Sequence, residues 1–281
     1  MMNLKNVSKY AWFSFTPFVT GAFITIGLIV TGMINPLYLC ITFIMWCLIS
    51  GLGVAVGYHR VFSHRTHKLP VWKENVILFL GTLSGQGSSI TWSAIHRGYH
   101  HRWSDTDRDL HSPTKGMWHA FFGWALKITE ASNIINMRYA VDLLRKPNHV
   151  WFHRHQMKIL WLTPLCVAVF DWRLSLTAVV LPAGISLLQD NMVNILGHRR
   201  GLNGYRNVNT DDMSYNHRFL SLLTWGQLLH NNHHAEPALF DFAFNKWEYD
   251  PCCLWRWLLG DEALKRLKDS RSMPRSMNRD E

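Results

Sequence analysis

The chain has 281 residues, of which 48% are apolar and 17% are charged, and its formal net charge is +10. This apolar fraction excludes a disordered chain, and the charged fraction lies below that of an ordinary soluble domain. A mean hydropathy of −0.04 also excludes a protein that is wholly embedded in lipid. The five cysteines lack CxxC spacing, which argues against a disulfide framework or a zinc ribbon and fits a reducing compartment.

Two membrane spans are predicted in the N-terminal part, at about 12–34 and 37–57. No Asp, Glu, Lys or Arg occurs from Tyr10 to Tyr58. A helix needs about 20 residues to cross the hydrocarbon core, so this stretch is long enough for two crossings with Asn35-Pro36 as the turn. The stretch is also far longer than the apolar region of a cleaved signal peptide, so we prefer spans to a leader.

A second pair of spans is predicted at about 151–170 and 174–197, with Asp171 and Arg173 in the turn between them. The first of this pair is apolar only from Ile159 onwards, so it needs the preceding residues and places Lys158 at the membrane interface. The second of the pair contains one charged residue, Asp190. The chain is therefore predicted to contain four transmembrane helices.

The basic residues orient these helices. Of the 29 Lys and Arg, thirteen lie between Tyr58 and Met157 and twelve follow His198, whereas the turns within the two pairs hold only Arg173. Cytoplasmic loops carry the excess of Lys and Arg. We therefore expect a single-domain, all-α membrane protein with both termini inside and a cytoplasmic helical cap formed by 58–150 and 198–281. No basic run carries a recognition motif, so nucleic acid is not an expected partner.

Nine of the sixteen histidines fall into four groups along the chain. The first group is His59 and His64, the second is His96, His100 and His101, the third is His198, and the fourth is His230, His233 and His234. The predicted topology puts all four groups on the cytoplasmic face. The other seven histidines are interpreted as ordinary core or surface residues.

Helical geometry indicates that these groups can bind two metal ions. On an α-helix His96 and His100 lie about 40° apart, while His101 lies about 140° from His96. The fourth group repeats this arrangement, with His233 to one side of the other two histidines. Each group then offers ligands in two directions, which suits a pair of ions better than one.

The ligand type narrows the choice of metal. Imidazole suits zinc, copper, iron and nickel, but a structural zinc needs only four ligands and the methionines are not clustered as in copper transport. Soluble di-iron bundles use Glu and Glu-x-x-His, and that pattern is missing. The preferred interpretation is an all-histidine di-iron centre that activates dioxygen.

The four motifs GYHRVFSH, HRGYHHRWSDTDRDLHSP, VNILGHRRG and HNNHHAEP, in this order, resemble those of the membrane-bound fatty acid desaturases, in particular the stearoyl-CoA desaturase-like, delta-9 type. The resemblance implies that all nine histidines are iron ligands and that Asn194 holds a metal-bound water. It also implies that Gln86 and Trp92 shape a kinked acyl tunnel. Asp190 stands where that group has a tunnel-lining Thr, and Ala94-Ile95 replaces an Arg-Asp pair that contacts CoA.

The function implied by the resemblance is oxygen-dependent insertion of one cis double bond, at delta-9, into a long fatty acyl chain. The cofactors would be two iron ions, cycling between Fe2+ and Fe3+, with dioxygen as co-substrate. The acyl substrate would be carried by CoA, acyl carrier protein or a phospholipid. Electrons would come from a separate donor, either ferredoxin or a cytochrome with its reductase. The expected location is a bacterial inner membrane, or the endoplasmic reticulum in a eukaryote.

Two alternatives remain open at this point. The same metal site could support an acyl hydroxylase or an acetylenase, since the outcome depends on where the substrate carbon lies. A non-enzymatic membrane metal-binding protein is the alternative of another class, although its ligands should lie within the spans.

Metal-bound imidazoles also need acceptors for their second ring nitrogen. Candidate acceptors close to the histidine groups are Asp105, Asp107, Asp109, Asp211, Asp212, Glu236 and Asp241.

Overall fold

The computed structural model describes residues 11–126, 137–201 and 203–258. Within these ranges the chain is helical and has no β-strand; the β-pairing described consists of two isolated bridges, Tyr205 with Asn216 and Asn216 with Leu229. Many of the helices contain π-helical turns, in which the backbone hydrogen bond spans five residues. These turns prove important for the placement of the histidines.

Two long helices form the N-terminal part. A π-helical turn, Ala11–Phe15, leads into α1, Thr16–Val30. After a turn, α2, Tyr38–Trp46, continues as the π-helical segment Cys47–Ser63. The continuous stretches Trp12–Val30 and Tyr38–Ser63 are both long and apolar enough to cross a membrane.

The middle of the chain forms shorter helices. They begin with α3, Val71–Leu83, and α4, Ser89–Ile95. The Ser88 hydroxyl caps α4 by accepting a hydrogen bond from the Thr91 backbone N–H. The remaining pieces are the π-helical turn His96–His100, the helix His101–Trp103, the 3-10 turn Pro113–Lys115, the π-helical turn His119–Gly123, the 3-10 turn Met137–Ala140 and the helix Val141–Leu144.

The second half contains the two remaining long helices. Helix α5, Pro147–Phe170, is followed by Trp172–Ser175, the π-helical turn Leu176–Val180 and α6, Leu181–Leu196. The C-terminal portion holds Arg218–Leu223, α7 at His230–Ala235, and the 3-10 helix Pro251–Leu258.

Three of the described helical stretches have the length and apolarity of a membrane span, the third being Trp172–Leu196. The predicted span at 151–170 is helical, as part of α5. Its first half contains Arg154 and Lys158, which lowers its mean hydropathy below that of the other three. A fourth crossing and a cytoplasmic cap therefore stay predictions.

Small residues allow the long helices to approach closely, as is usual in membrane proteins. A Cβ added at Gly184 of α6 would lie 2.5 Å from Ala22 Cβ and 2.7 Å from the Phe18 carbonyl oxygen of α1. A Cβ at Gly53 would lie 2.5 Å from the backbone nitrogen of Gly81 in α3. These contacts fix α1 against α6, and α3 against the π-helical extension of α2.

The ends of the long helices define two ends of the bundle. The Tyr38 hydroxyl donates a 2.7 Å hydrogen bond to Asp171 Oδ2, so the turn before α2 lies beside the turn after α5. His59 and His64 lie at the far end of the α2 extension, and His198 follows the far end of α6. The histidines of different groups are therefore carried to the same end of the bundle.

Candidate metal centre and cavity

The ring nitrogens of all nine histidines come together in two adjacent clusters. Cluster A contains His59, His64, His96, His101 and His233, and cluster B contains His100, His198, His230 and His234. Within each cluster the ligand atoms lie within 4.8 Å of one another. The two clusters touch, because the rings of His101 and His234 stack with their centroids 4.5 Å apart.

The π-helical turns decide which histidine joins which cluster. The backbone N–H of His64 donates to the carbonyl of His59, and that of His101 donates to the carbonyl of His96. In each pair, residues five apart lie together in cluster A, while His100 turns into cluster B. The predicted pairing of His96 with His100 is therefore wrong, because it assumed an α-helix where the segment is π-helical.

Helix α7 is a regular α-helix, and there the predicted pairing is seen. His230 and His234, four residues apart, lie in cluster B, and His233 lies in cluster A. The second and fourth groups thus have the same layout. In both, the first and last histidines share one cluster and the middle histidine joins the other.

Every imidazole of cluster B makes a hydrogen bond through its Nδ1 atom. His100 bonds to Asp109 Oδ2 at 3.2 Å, and His198 bonds to Asp105 Oδ2 at 3.1 Å. The remaining two bonds are His234 to Asp212 Oδ2 at 2.6 Å and His230 to the Gln227 carbonyl at 3.1 Å. Since carboxylate and carbonyl oxygens accept hydrogen bonds, each Nδ1 carries a proton, and each ring in its neutral form presents an Nε2 lone pair to the centre of the cluster.

This arrangement of lone pairs fits a metal cation. The Nε2 atoms of His198 and His230 are 3.0 Å apart, and those of His100 and His234 are 3.2 Å apart. With no proton on either nitrogen, such pairs cannot hydrogen-bond to each other, whereas a metal ion accepts all four lone pairs. Nitrogen ligands at about 2.1 Å from one ion, at right angles, are separated by about 3.0 Å. The described residues of cluster B therefore match a metal-binding site.

The carboxylates behind cluster B are ionised. Burial alone would raise the pKa of Asp109, but the neighbouring imidazoles of His111 and His100 outweigh burial and lower this pKa below its ordinary range. Burial likewise opposes ionisation of Asp212, and the hydrogen bond with His234 outweighs it and lowers the pKa. The carboxylates consequently place negative charge around cluster B, which favours a cation there.

Cluster A has a different environment. The Nδ1 atoms of His59 and His233 are buried and have no hydrogen-bond partner in the part of the chain that the structure describes. Burial, followed by the neighbouring His234 imidazole and the charge of Arg97, lowers the pKa of His64 to about 3, so its ring is neutral at pH 7. Arg97 itself donates to Asp142 Oδ1 at 2.7 Å.

A cavity of about 570 Å³ opens onto both clusters. Its wall includes His59 and His96 from cluster A and His100 and His230 from cluster B. The apolar part of the wall consists of Phe13, Ile95, Trp124, Met157, Trp161, Leu187 and Val193. Its volume lies within the range of small-molecule sites, roughly 300–1,000 Å³. The cavity therefore offers an apolar chain direct access to both groups of imidazoles.

The residues predicted to contact substrate or water, Gln86, Trp92, Asp190 and Asn194, all line this cavity. Trp92 Nε1 donates to Gln86 Oε1 at 3.0 Å, and the Trp92 ring lies 4.7 Å from that of His96. Gln227 Nε2 donates to Asp190 Oδ1 at 2.7 Å. Asp190 Oδ2 has no hydrogen-bond partner among the described residues.

Sequence reasoning missed two residues of the site. His111, interpreted as ordinary, is buried on the cavity wall, with Nδ1 3.5 Å from Asp109 Oδ1 and its ring 4.7 Å from that of His100. Gln227 contacts both Asp190 and His230. The available signals were the two-residue spacing from Asp109 to His111 and the closeness of Gln227 to the fourth histidine group.

The seven carboxylates predicted as hydrogen-bond acceptors for the imidazoles differ in where the structure places them. Three of the seven, Asp105, Asp109 and Asp212, bond to imidazoles of cluster B. Asp107, Asp211 and Glu236 are exposed. Asp241 is buried and forms a separate group with Asp250 and Cys253.

Comparison with known proteins decides the family. The profile of the fatty acid desaturase family matches residues 34–246, which include all nine clustered histidines. The chain belongs to the fatty acid desaturase family. It is therefore an oxidoreductase that acts on fatty acyl chains, as predicted, and its histidine clusters are suited to a metal cofactor.

Three relatives illustrate the range within the family. The desaturase is 31% identical over 229 residues to delta-9 acyl-lipid desaturase 2 of Arabidopsis thaliana, covering 78% of this chain and 72% of the relative. It is 31% identical over 213 residues to sn-2 palmitoyl-lipid 9-desaturase of Nostoc sp. (strain 36), covering 75% and 73%. It is 33% identical over 217 residues to icosanoyl-CoA 5-desaturase of Limnanthes douglasii, covering 75% and 59%. The names of these relatives differ in double-bond position and acyl carrier.

Proposed function

We propose that this desaturase introduces one cis double bond at delta-9 of a long acyl chain, using two iron ions, dioxygen and electrons from a separate donor. The observation that carries the proposal is the apolar cavity, which is bordered by imidazoles of both clusters. A chain lying in this cavity has its methylene groups beside the metal centre and its remaining length against apolar side chains. A solely metal-storing protein has no need of such a cavity.

The nine histidines would hold the two ions, five in cluster A and four in cluster B. When bound, iron supplies the oxidising power, drawn from dioxygen and two external electrons, that removal of two hydrogens from unactivated methylenes requires. The chain's own residues do the remaining work. Asp105, Asp109 and Asp212 fix the tautomers of three imidazoles, so that Nε2 faces inwards. Asn194, on the cavity wall, is our candidate for holding a water at the metal.

The cavity wall would position the substrate. The hydrogen bond from Trp92 to Gln86 holds the indole against His96, so the wall is fixed next to cluster A. Asp190, held by Gln227, forms the wall on α6. Apolar lining excludes water from the reacting carbons, and a rigid wall selects which pair of methylenes is presented. Delta-9 selectivity would follow from the distance between this wall and the entrance of the cavity.

A membrane lipid is our preferred acyl carrier. Two of the three relatives above are named as acting on acyl-lipids. In this chain, Ala94 and Ile95 occupy the positions of the charged pair that contacts CoA in the stearoyl-CoA type, and Ala94 is fully buried. The side chains of an apolar pair offer neither a charge nor a hydrogen bond to a nucleotide. CoA and acyl carrier protein thioesters are the alternative substrates that the experiment below separates.

The proposed topology places α5 as the fourth crossing, with the histidine clusters at the cytoplasmic end. The Tyr38–Asp171 hydrogen bond supports this topology, because it joins the turn before α2 to the turn after α5. Both turns then lie at the end of the bundle opposite the histidines. The excess of Lys and Arg beside the histidine groups supports the cytoplasmic assignment. The expected membrane is the bacterial inner membrane, or the endoplasmic reticulum in a eukaryote.

The test is expression in a host whose acyl chains are saturated, together with ferredoxin and its reductase. Lipid classes are separated and their methyl esters are analysed by mass spectrometry, with the double bond located by chemical derivatisation. We expect a new cis-9 monoene that appears first in membrane lipid. A hydroxylated or acetylenic chain would instead support the alternative enzymes, and iron-loaded protein without any product would support the metal-binding alternative. A thioester that is desaturated before any lipid would reassign the carrier.

A further inference from the structure

The two histidine clusters differ in what lies behind their imidazoles. Three carboxylates bond to imidazoles of cluster B, at Asp105, Asp109 and Asp212. No carboxylate lies within 4.0 Å of an imidazole nitrogen of cluster A in the described ranges of the chain. A carboxylate behind a ligating imidazole makes it a stronger donor and holds its orientation, and loss of such a partner typically costs about 10–100-fold in metal affinity.

Within the residues that the structure describes, two imidazoles of cluster A also lack a hydrogen-bond acceptor of the kind that every imidazole of cluster B has. To present Nε2 to a metal, the rings of His59 and His233 must keep the proton on Nδ1, and both Nδ1 atoms are buried without a described partner. A buried donor without a partner is unfavourable. In cluster B all four Nδ1 atoms have an acceptor. Cluster B is therefore preorganised in tautomer, orientation and charge, whereas two of the five imidazoles of cluster A lack such support among the described residues.

We propose that the two clusters bind metal unequally: cluster B takes up the first cation and holds it more tightly, and cluster A takes up the second and releases it more easily. Asp105, Asp109 and Asp212 are the positioning residues that create this difference. The inference rests on the proposed metal centre. It adds to that centre a defined order of assembly, in which a species with one cation in cluster B precedes the complete site.

The experiment is a metal titration of the full chain in detergent, stripped of metal and kept free of oxygen, with Co2+ as the probe. Bound metal is counted, the visible absorption of the histidine-bound ion is followed, and a competing chelator gives the affinity of each equivalent. We expect two equivalents, the first bound at least tenfold more tightly than the second. Two equivalents of equal affinity would overturn the proposal while leaving the metal centre intact, whereas failure to bind any cation would contradict the metal centre itself.

Paired variants assign the tight site. Asp109→Asn and Asp212→Asn should weaken the first equivalent by 10–100-fold and leave the second unchanged. Their controls are Asp107→Asn and Asp211→Asn, exposed neighbours that should change neither affinity. Equal weakening of both equivalents by Asp109→Asn and Asp212→Asn would contradict the assignment.

Ligand deletions provide a second readout should a buried Asp variant fold poorly. His64→Ala removes a ligand from cluster A and should leave one cation bound with wild-type affinity. His198→Ala removes a ligand from cluster B and should leave only the weaker equivalent. The reverse result would place the tight site in cluster A and overturn the proposal.

Discussion

At the residue scale, the site depends on rings whose two nitrogens do different work. In His100 the Nδ1 atom bonds to Asp109 while Nε2 faces His234. One nitrogen therefore fixes the orientation of the ring, and the other can bind a metal ion. His233 faces His59 and His101 through one nitrogen and has no described partner for the other. Each of these two histidines contacts side chains from other helices or loops of the site, so no neighbouring residue can take over its position.

Replacing either residue should therefore abolish activity. We expect purified His100→Ala and His233→Ala to lose at least about 100-fold in turnover, since loss of an outer partner alone costs about 10–100-fold in metal affinity. Membrane insertion should be normal. His155→Ala is the control, because this residue bonds to the Trp151 carbonyl and lies outside both clusters. A loss of less than about 100-fold in either cluster variant would remove that residue from the ligand set.

Trp92 should determine how much of the cavity the substrate can occupy. Trp92→Ala removes the indole that lines the cavity and contacts His96, so the wall recedes and longer or differently placed chains can fit. We expect an altered chain-length or positional profile, measured by mass spectrometry of methyl esters, with metal content unchanged. Trp72→Ala, at an exposed position, is the control. A product profile identical to that of wild type would exclude Trp92 from substrate selection.

The sequence was sufficient to select the nine clustered histidines, because their spacing and predicted position agreed. It was insufficient to divide them between clusters, because a π-helical turn leaves no simple periodicity in the sequence. His111 escaped notice for a related reason. Its role depends on the loop that folds Asp109 back onto His100, and a lone histidine two residues from an aspartate is common without function. Contacts made by loops follow from tertiary packing and not from local pattern.

At the element scale, close approach between helices depends on glycine at specific positions. Gly53→Val should destabilise the protein by at least about 1–3 kcal/mol, because the new side chain meets the backbone of Gly81, which cannot move aside. The measurement is the thermal unfolding temperature in detergent. Gly27→Val is a matched control on an exposed face of α1, where an added Cβ meets nothing within 4 Å. Equal unfolding temperatures for the two variants would show that α3 and the α2 extension are not tightly packed.

The junction of α3 with α5 should make stability depend on pH. Glu74 accepts bonds from Lys146 and Asn148 at the start of α5. Burial raises the pKa of Glu74, but His149, whose Nε2 lies 3.5 Å from Glu74 Oε2, and the hydrogen bonds from Lys146 and Asn148 outweigh burial and lower this pKa from 4.5 to about 2. A lowered pKa means that the stabilisation is fully present above pH 4.5 and is lost as the pH falls towards 2.

The test compares Glu74→Gln with wild type by thermal unfolding across this range. We expect the variant to be less stable at pH 7 and the difference to shrink progressively below pH 4.5. Glu236→Gln, at an exposed position, should follow the wild-type curve. A difference that stays constant between pH 7 and pH 3 would show that ionisation of Glu74 does not stabilise the junction.

Apolar runs located the long helices because length and hydropathy are properties of a single segment. The helix predicted to end at 57 continues to Ser63, so His59 lies within it and His64 directly follows it. The polarity of these residues gave no sign of this extension. The helix predicted at 151–170 begins at Pro147, because proline suits the first turn of a helix and polar residues are tolerated there. Helix ends depend on local capping and packing more than on hydropathy.

At the scale of the whole molecule, the arrangement of helices predicts the side on which each loop lies. Short epitope tags inserted after Met33 and after Trp172 should be accessible from one side of a sealed vesicle. Tags after Arg145 and Gly201 should be accessible from the other side, together with the histidine clusters. Gly201 is a permissive position, since a Cβ there meets nothing within 4 Å. Tags at Arg145 and Trp172 on the same side would show that α5 does not cross the membrane.

The π-helical turn at His96–His100 has a consequence for how such chains can change in length. The fourth histidine group reaches its layout with two residues between its first two histidines on an α-helix, and the second group reaches the same layout with three residues on a wider turn. One amino acid can thus be gained or lost inside the motif, provided that the backbone widens or tightens by one residue at the same place. During evolution this helix can therefore tolerate a one-residue insertion or deletion, as well as substitutions, without displacing the histidines at either end of the motif.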